Sequence, residues 1–225
     1  MADAAHLVTE TRKALQAVET RIRRHPYLDA LEAGQVPQDE LRRFAGQQHH
    51  IITSDLRAMA VLIAKAESAE TREFFWGGMQ AERAAVEALQ AFASALAIPA
   101  ADLKAAEPMP GAFAYCAYVA WLALFGSCAE FAAAFLVNLE AWGGNCARMS
   151  QALKARYHMQ DKDVAFFDLF SSTPPSFQDR ALRVIQEGLE HQVTPQQIRR
   201  AARMLQGYEL LYWDTLYQAF TGEPG

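Results

Sequence analysis

The chain has 225 residues, 52% of them hydrophobic and 21% charged, with a formal net charge of -5; this is the balance of one folded soluble domain spanning residues 1–225, and it excludes a disordered protein. Its basic residues form only short clusters (Arg21 to Arg24, Arg42 and Arg43, Arg199 to Arg203) on faces of mixed sign, which excludes the concentrated basic surface that nucleic acid requires. Three cysteines, Cys116, Cys128 and Cys146, show no zinc-type spacing, and the start MADAAHLVTETRK lacks the apolar core of a signal peptide, so a reducing, cytoplasmic setting is expected.

Apolar residues recur at three- and four-residue spacing almost throughout, and no window alternates as a strand would. The expectation is an all-α protein of about eight helices. The first runs from about Ala4 to Arg24 and stops before His25-Pro26, because the residue before a proline disfavours helical geometry. After a turn through Leu31 to Val36, Pro37 and the carboxylates Asp39 and Glu40 open a second helix that continues to about Ala66. Ser68 caps a third, ending near Pro99. Two apolar helices follow, about Ala112 to Phe125 and Ser127 to Tyr157.

The stretch AFAYCAYVAWLALFGSCA, between Gly111 and Glu130, carries no charge and approaches the length of a membrane span. Its alanines, the Gly126-Ser127 break and the lack of flanking Lys or Arg point instead to a helix buried by other helices, so no membrane partner is expected. A short helix, about Lys162 to Phe170, precedes the break SSTPPS. Ser176-Phe177-Gln178-Asp179 then reads as a capping box for a seventh helix, and Thr194-Pro195-Gln196-Gln197 as a cleaner one for the eighth.

On that last helix Leu205, Glu209, Tyr212, Trp213, Leu216 and Phe220 share one face. Glu209 therefore falls within the buried stripe. Loss of hydration there favours its neutral form and brings its pKa toward the range useful for proton transfer; a carboxylate paired for structural reasons fits the spacing equally well.

Other candidates are weaker. Adjacent His49 and His50 point about 100° apart and cannot share a metal from one helix face. Glu82, Glu130 and Glu140 raise the question of a di-iron or di-manganese bundle, with Glu82 and Glu140 the first ligand candidates, yet no Glu-x-x-His accompanies them. No metal or other cofactor is expected on this reading. The three cysteines lie in apolar helices where a thiol behaves as a small hydrophobe, and no nucleophile elbow, Walker loop or dinucleotide fingerprint is present.

Three segments, HPYLDALEAGQVPQDELRRFAGQQ (His25 to Gln48), CAEFAAAFLVNLEAW (Cys128 to Trp142) and YELLYWDTLY (Tyr208 to Tyr217), resemble in order the TenA family, also called thiaminase II, whose fold is the haem-oxygenase-like helical bundle. The resemblance covers most of the chain. It implies hydrolysis of a C-N bond on a pyrimidine related to thiamin, as in thiamin salvage. It assigns proton transfer to Glu209, followed by Tyr212 and Trp213, and the aromatic lining to Tyr115, Trp142 and Phe170. The family's acidic anchor for the pyrimidine amine falls on Gln48.

Where the common form of the family carries its cysteine nucleophile, this chain has Asn138. Covalent attack from that position is thereby excluded, and Cys146 lies about 12 Å further along the helix by the 1.5 Å rise. The chain resembles the branch without that cysteine, in which Glu209 would activate water or protonate a departing amine while Gln48, Asn138 and Tyr115 orient the ring. The competing reading is a diverged TenA-like protein that binds a small molecule without turnover or works as a metal-dependent oxidase. Several helices apolar nearly all round imply a homo-oligomer, a dimer or tetramer.

Overall fold

The computed structural model describes residues 3–173 and 175–222. Ten helices and no strand occur among them: α1 (Ala4–Arg23), α2 (Pro26–Glu32), α3 (Gln38–Lys65), α4 (Ala69–Ala95), α5 (Ala100–Lys104), α6 (Pro110–Phe125), α7 (Cys128–Tyr157), α8 (Asp161–Phe170), α9 (Pro175–Glu190) and α10 (Pro195–Thr221). Eight match the expected helices. The two additional ones are short: α2 opens on Pro26 and α5 follows Pro99.

Local chemistry explains most boundaries. The His25 ring accepts from the Tyr27 amide while Pro26 opens α2, so the chain resumes a helix immediately after the break at Arg24. Ser68 caps α4 through the Thr71 amide. Capping boxes hold Ser127 with Glu130 and Thr194 with Gln197. Ala97, at φ 56°, turns the chain out of α4 before Pro99, and α5 uses the proline as its N-cap.

Two expectations are corrected. α9 begins at Pro175, so Ser176 lies inside the first turn and is not the cap of a Ser176–Asp179 box. The segment expected to be a helix buried by other helices is buried on one face only. Ala112, Tyr115, Cys116, Val119 and Leu122 point inward, whereas Phe113, Trp121, Leu124 and Phe125 are exposed. No helix among the described residues is long and apolar enough to cross a membrane.

The long helix α7 packs against α1, α2, α8, α9 and α10, while α3 packs against α4 and α6. Burial divides into two apolar cores. One gathers Tyr27, Phe44, Phe92, Phe167 and Trp213; the other gathers Leu62, Phe75, Val119, Phe131, Ile185 and Leu205. Ile51 packs against both and lines the pocket described below.

Candidate active site

The helix faces around Ile51 enclose a pocket lined by Gln48, Ile51, Ile52 and Asp55 of α3, Glu82 of α4, Tyr115 of α6, Phe135, Asn138, Leu139 and Trp142 of α7, Phe166 and Phe170 of α8, and Glu209 and Tyr212 of α10. The space between them amounts to about 490 Å³ with its opening to solvent included. No Lys, Arg or His is among these lining residues.

All seven residues singled out from the sequence meet here: Gln48, Tyr115, Asn138, Trp142, Phe170, Glu209 and Tyr212. Periodicity explains the convergence, since Gln48, Asn138 and Glu209 each occupy the buried stripe of a long helix. Gly143 supplies a further constraint. A Cβ there would lie 2.7 Å from the Phe170 carbonyl oxygen, so glycine permits the end of α8 to close on α7 and set Phe170 beside Trp142, with ring centroids 6.1 Å apart.

Glu209 is 3% exposed and fully engaged. The Trp213 indole N-H donates to its Oε1 at 3.2 Å, and the Asn138 amide donates to its Oε2. Asn138 in turn accepts from the Tyr115 hydroxyl at 3.3 Å and donates to Gln206 Oε1 at 3.3 Å. Burial pushes the Glu209 carboxyl up to about 7, against the opposing effect of the Trp213 and Asn138 donors. A carboxyl balanced there exists in both protonation states near neutral pH.

Gln48 donates to the Tyr212 hydroxyl at 2.8 Å. A neutral amide thus stands where the family resemblance places an acidic anchor. Carboxylates are nonetheless present, two turns along the same helix and across from it. Asp55 follows Gln48 by seven residues, which returns it to the same face of α3 about 10 Å further on. It is 4% exposed and its Oδ1 has no hydrogen-bond partner among the described residues. Glu82, 8% exposed, lines the same pocket. Burial raises both carboxyl groups, Asp55 well above its ordinary value with the Glu82 charge as a second cause, and Glu82 to about 8.

Neither Asp55 nor the pocket role of Glu82 was anticipated. The signal was present: Leu41, Phe44, Gln48, Ile52, Asp55, Met59 and Leu62 follow the same three-four rhythm that singled out Glu209, and all are buried.

The remaining candidates fall elsewhere. Glu140 is half-exposed and paired with Arg12 and Arg23, while Glu130 closes the cap of α7; neither shares a site with Glu82. Among the described residues no group of three or more His, Cys, Asp or Glu side chains is placed to hold a metal ion. The donor set of the pocket, carboxylates without imidazole, does not fit a di-iron or di-manganese centre. Nor does His25 fit a haem iron. Its Nε2 meets Asp214 at 3.1 Å, its Nδ1 accepts from Tyr27, and burial lowers its pKa.

His49 and His50 face a different side of α3, in an open groove with Arg57 and Lys104. The thiols do not replace the missing nucleophile. Cys146 is buried, outside the pocket lining, and its pKa is pushed well up by burial and by the Glu209 and Asp168 charges; Cys116 is pushed up to about 12.

Solved structures of several bacteria and archaea share this architecture. A TenA homologue from Pyrococcus furiosus is 21% identical with a TM-score of 0.75, covering 94% of this chain and 100% of that one. A TenA homologue from Pseudomonas syringae is 13% identical with a TM-score of 0.81, covering 93% and 92%. A domain of unknown function with a haem-oxygenase-like fold from Shewanella denitrificans is 12% identical with a TM-score of 0.75, covering 98% and 94%. These likenesses establish the haem-oxygenase-like fold. No curated protein matches the sequence. The TENA/THI-4/PQQC family model, however, matches residues 12–219. Over almost its whole length, therefore, the chain belongs to the TENA/THI-4/PQQC family.

Proposed function

We propose that the protein hydrolyses a C-N bond of an aminopyrimidine, releasing an amine or formylamine group. The observation that carries this reading is Glu209, a buried carboxyl held by Trp213 and Asn138 at the wall of an aromatic-lined pocket and raised by burial to about 7. In the proposed step the Glu209 carboxylate takes a proton from water as the water oxygen bonds to the carbon bearing the nitrogen. The C-N bond breaks, and the carboxyl returns the proton to the departing nitrogen. No thiolate is needed.

Asn138 orients Glu209 and, through Tyr115, ties it to the rest of the pocket, while Trp142 and Phe170 bracket the ring. Gln48, Asn138 and Tyr212 supply hydrogen bonds to it. The test is incubation of pure protein with aminomethyl- and formylaminomethyl-pyrimidines, following amine release. Release by the native protein and its loss in Glu209→Gln is expected; no product at high protein concentration would overturn the proposal.

A binding protein without turnover is the second reading, favoured by the amide at Asn138 where a nucleophile is expected. It requires the same affinity in native protein and Glu209→Gln, with turnover in neither. The exposed apolar face of α6, with Trp121, Leu124 and Phe125, supports a homo-oligomer, checked by sedimentation of the native protein against Trp121→Ser/Phe125→Ser.

A further inference from the structure

We propose that Asp55 and Glu82 form a second, cation-binding end of the pocket, which selects ligands carrying a protonated nitrogen head such as an ammonium, amidinium or aminopyrimidinium group. The inference rests on the small-molecule reading of the pocket, and it adds the charge and chemical class of what enters. It does not depend on whether the ligand is hydrolysed.

Three observations carry it. First, Asp55 presents a carboxylate oxygen, Oδ1, that is buried and without a partner among the described residues, from a side chain 4% exposed at the pocket wall. A buried acceptor without a partner among the described residues is suited to receive a donor from a ligand that reaches it. Second, Glu82 shares the pocket and the two carboxyl groups interact electrostatically. Third, no basic side chain among the described residues lines the pocket to neutralise them. Two buried carboxylates that feel one another's charge cannot both be ionised at low cost; either protons or an incoming cation must neutralise them.

The titratable groups around this end come from three helices besides α3, and Tyr212 of α10, bonded to Gln48, lines the same pocket. Asp55 comes from α3, Glu82 from α4, Tyr115 and Cys116 from α6, and Glu209 from α10. Tyr115 feels the Asp55, Glu209 and Glu82 charges together, and Cys116 feels Asp55. All of these groups are acids. Burial shifts Asp55 and Glu82 toward their protonated forms, and a cation that enters displaces a proton from this pair to solvent. Anionic ligands, including phosphate esters, meet only carboxylates and are rejected. Two carboxylates without a histidine are also too few to hold a transition metal strongly.

The position is informative about the rest of the pocket. Gln48 lies on the same face of α3, about two turns before Asp55. The acidic anchor is therefore displaced along the helix rather than abolished, and a ligand reaching from Asp55 toward Glu209 passes Tyr115, which senses both charges.

The experiment compares three probes of one shape, benzamidinium, benzamide and benzoate, by titration calorimetry on the full chain at pH 7 in two buffers of different ionisation enthalpy. Benzamidinium should bind at least tenfold tighter than benzamide with release of about one proton, and benzoate should not bind. Asp55→Asn and Glu82→Gln should each lower benzamidinium affinity at least tenfold and benzamide affinity far less, whereas Glu140→Gln, outside the pocket and paired with Arg12 and Arg23, should change benzamidinium affinity less than threefold.

Equal binding of the three probes, no proton release from the native protein, or loss of benzamidinium binding in Glu209→Gln alone overturns the proposal; the proton measurement needs no variant and stands even if one fails to fold. Magnesium or manganese alone raising the melting temperature of the native protein, but not of Asp55→Asn, would overturn it in favour of a metal. Absence of aminopyrimidine hydrolysis with this probe selectivity intact would sink only the hydrolytic reading.

Discussion

The two ends of the pocket place carboxyl groups in opposite circumstances. At one, Glu209 receives the Trp213 indole N-H and the Asn138 amide. At the other, Asp55 Oδ1 receives nothing from the described residues and lies within the field of Glu82. Burial raises all three, but donors hold Glu209 at about 7 whereas Glu82 reaches about 8. Equal burial thus produces different chemistry. A carboxyl with preorganised donors can cycle a proton near neutrality, while carboxyls without donors await an outside partner.

The largest effect expected from breaking this difference is at Glu209. Glu209→Gln keeps the shape and the Trp213 contact but removes proton transfer, and amine release should fall by about 10²–10⁴-fold with ligand affinity little changed. Equal losses in turnover and affinity would show that Glu209 binds rather than transfers the proton.

Asn138→Ala makes the Glu209 end resemble the other. Removing a donor favours the neutral carboxyl, so the inflection of the pH-rate profile should move upward from about 7, with kcat at pH 7 reduced by about tenfold. In the native protein the rate should rise with pH up to that inflection and then level, because the ionised form takes the proton from water.

At the Asp55 end the expected effect is on stability. A carboxyl whose folded-state pKa is raised favours the folded state most when protonated. That contribution is complete below the ordinary value of 4.5 for Glu82 and is lost as pH rises through about 8. The ligand-free protein should therefore melt at lower temperature at pH 9 than at pH 6. Asp55→Asn or Glu82→Gln should flatten that dependence and raise the pH 9 melting temperature by roughly 3–6 °C, corresponding to about 1–2 kcal/mol. A scan of melting temperature against pH for the three proteins checks both signs.

The smallest effect concerns a buried thiol outside the pocket lining. Cys146→Ser should leave amine release within about twofold, since a group pushed well above its ordinary value by burial holds almost no thiolate.

Much of the helical layout was legible because three-four periodicity, prolines and hydroxyl caps are local signals. Ser68, Ser127 and Thr194 all cap the helices they were expected to open. Short helices escaped: α2 and α5 have seven and five residues, too few for a period to stand out. The outward face of α6 also escaped, because its run of apolar residues has no polar side to reveal which half meets solvent.

The sequence by itself determined which side chains are turned inward, Glu209 and Gln48 among them, since a helix repeats every 3.6 residues whatever it packs against. It equally marked Asp55 as an inward-facing acid. Only the tertiary structure decided which inward residues meet. Packing places α3, α4, α6, α7, α8 and α10 around one pocket, gives Glu209 its donors from Asn138 and Trp213, and leaves Asp55 Oδ1, in the field of Glu82, without a donor among the described residues. Glu140, two residues beyond Asn138, is instead carried out to arginines of α1. Burial is written along one helix, whereas partnership in the pocket joins residues as distant in sequence as Gln48 and Tyr212, 164 positions apart, and is fixed only when those helices pack.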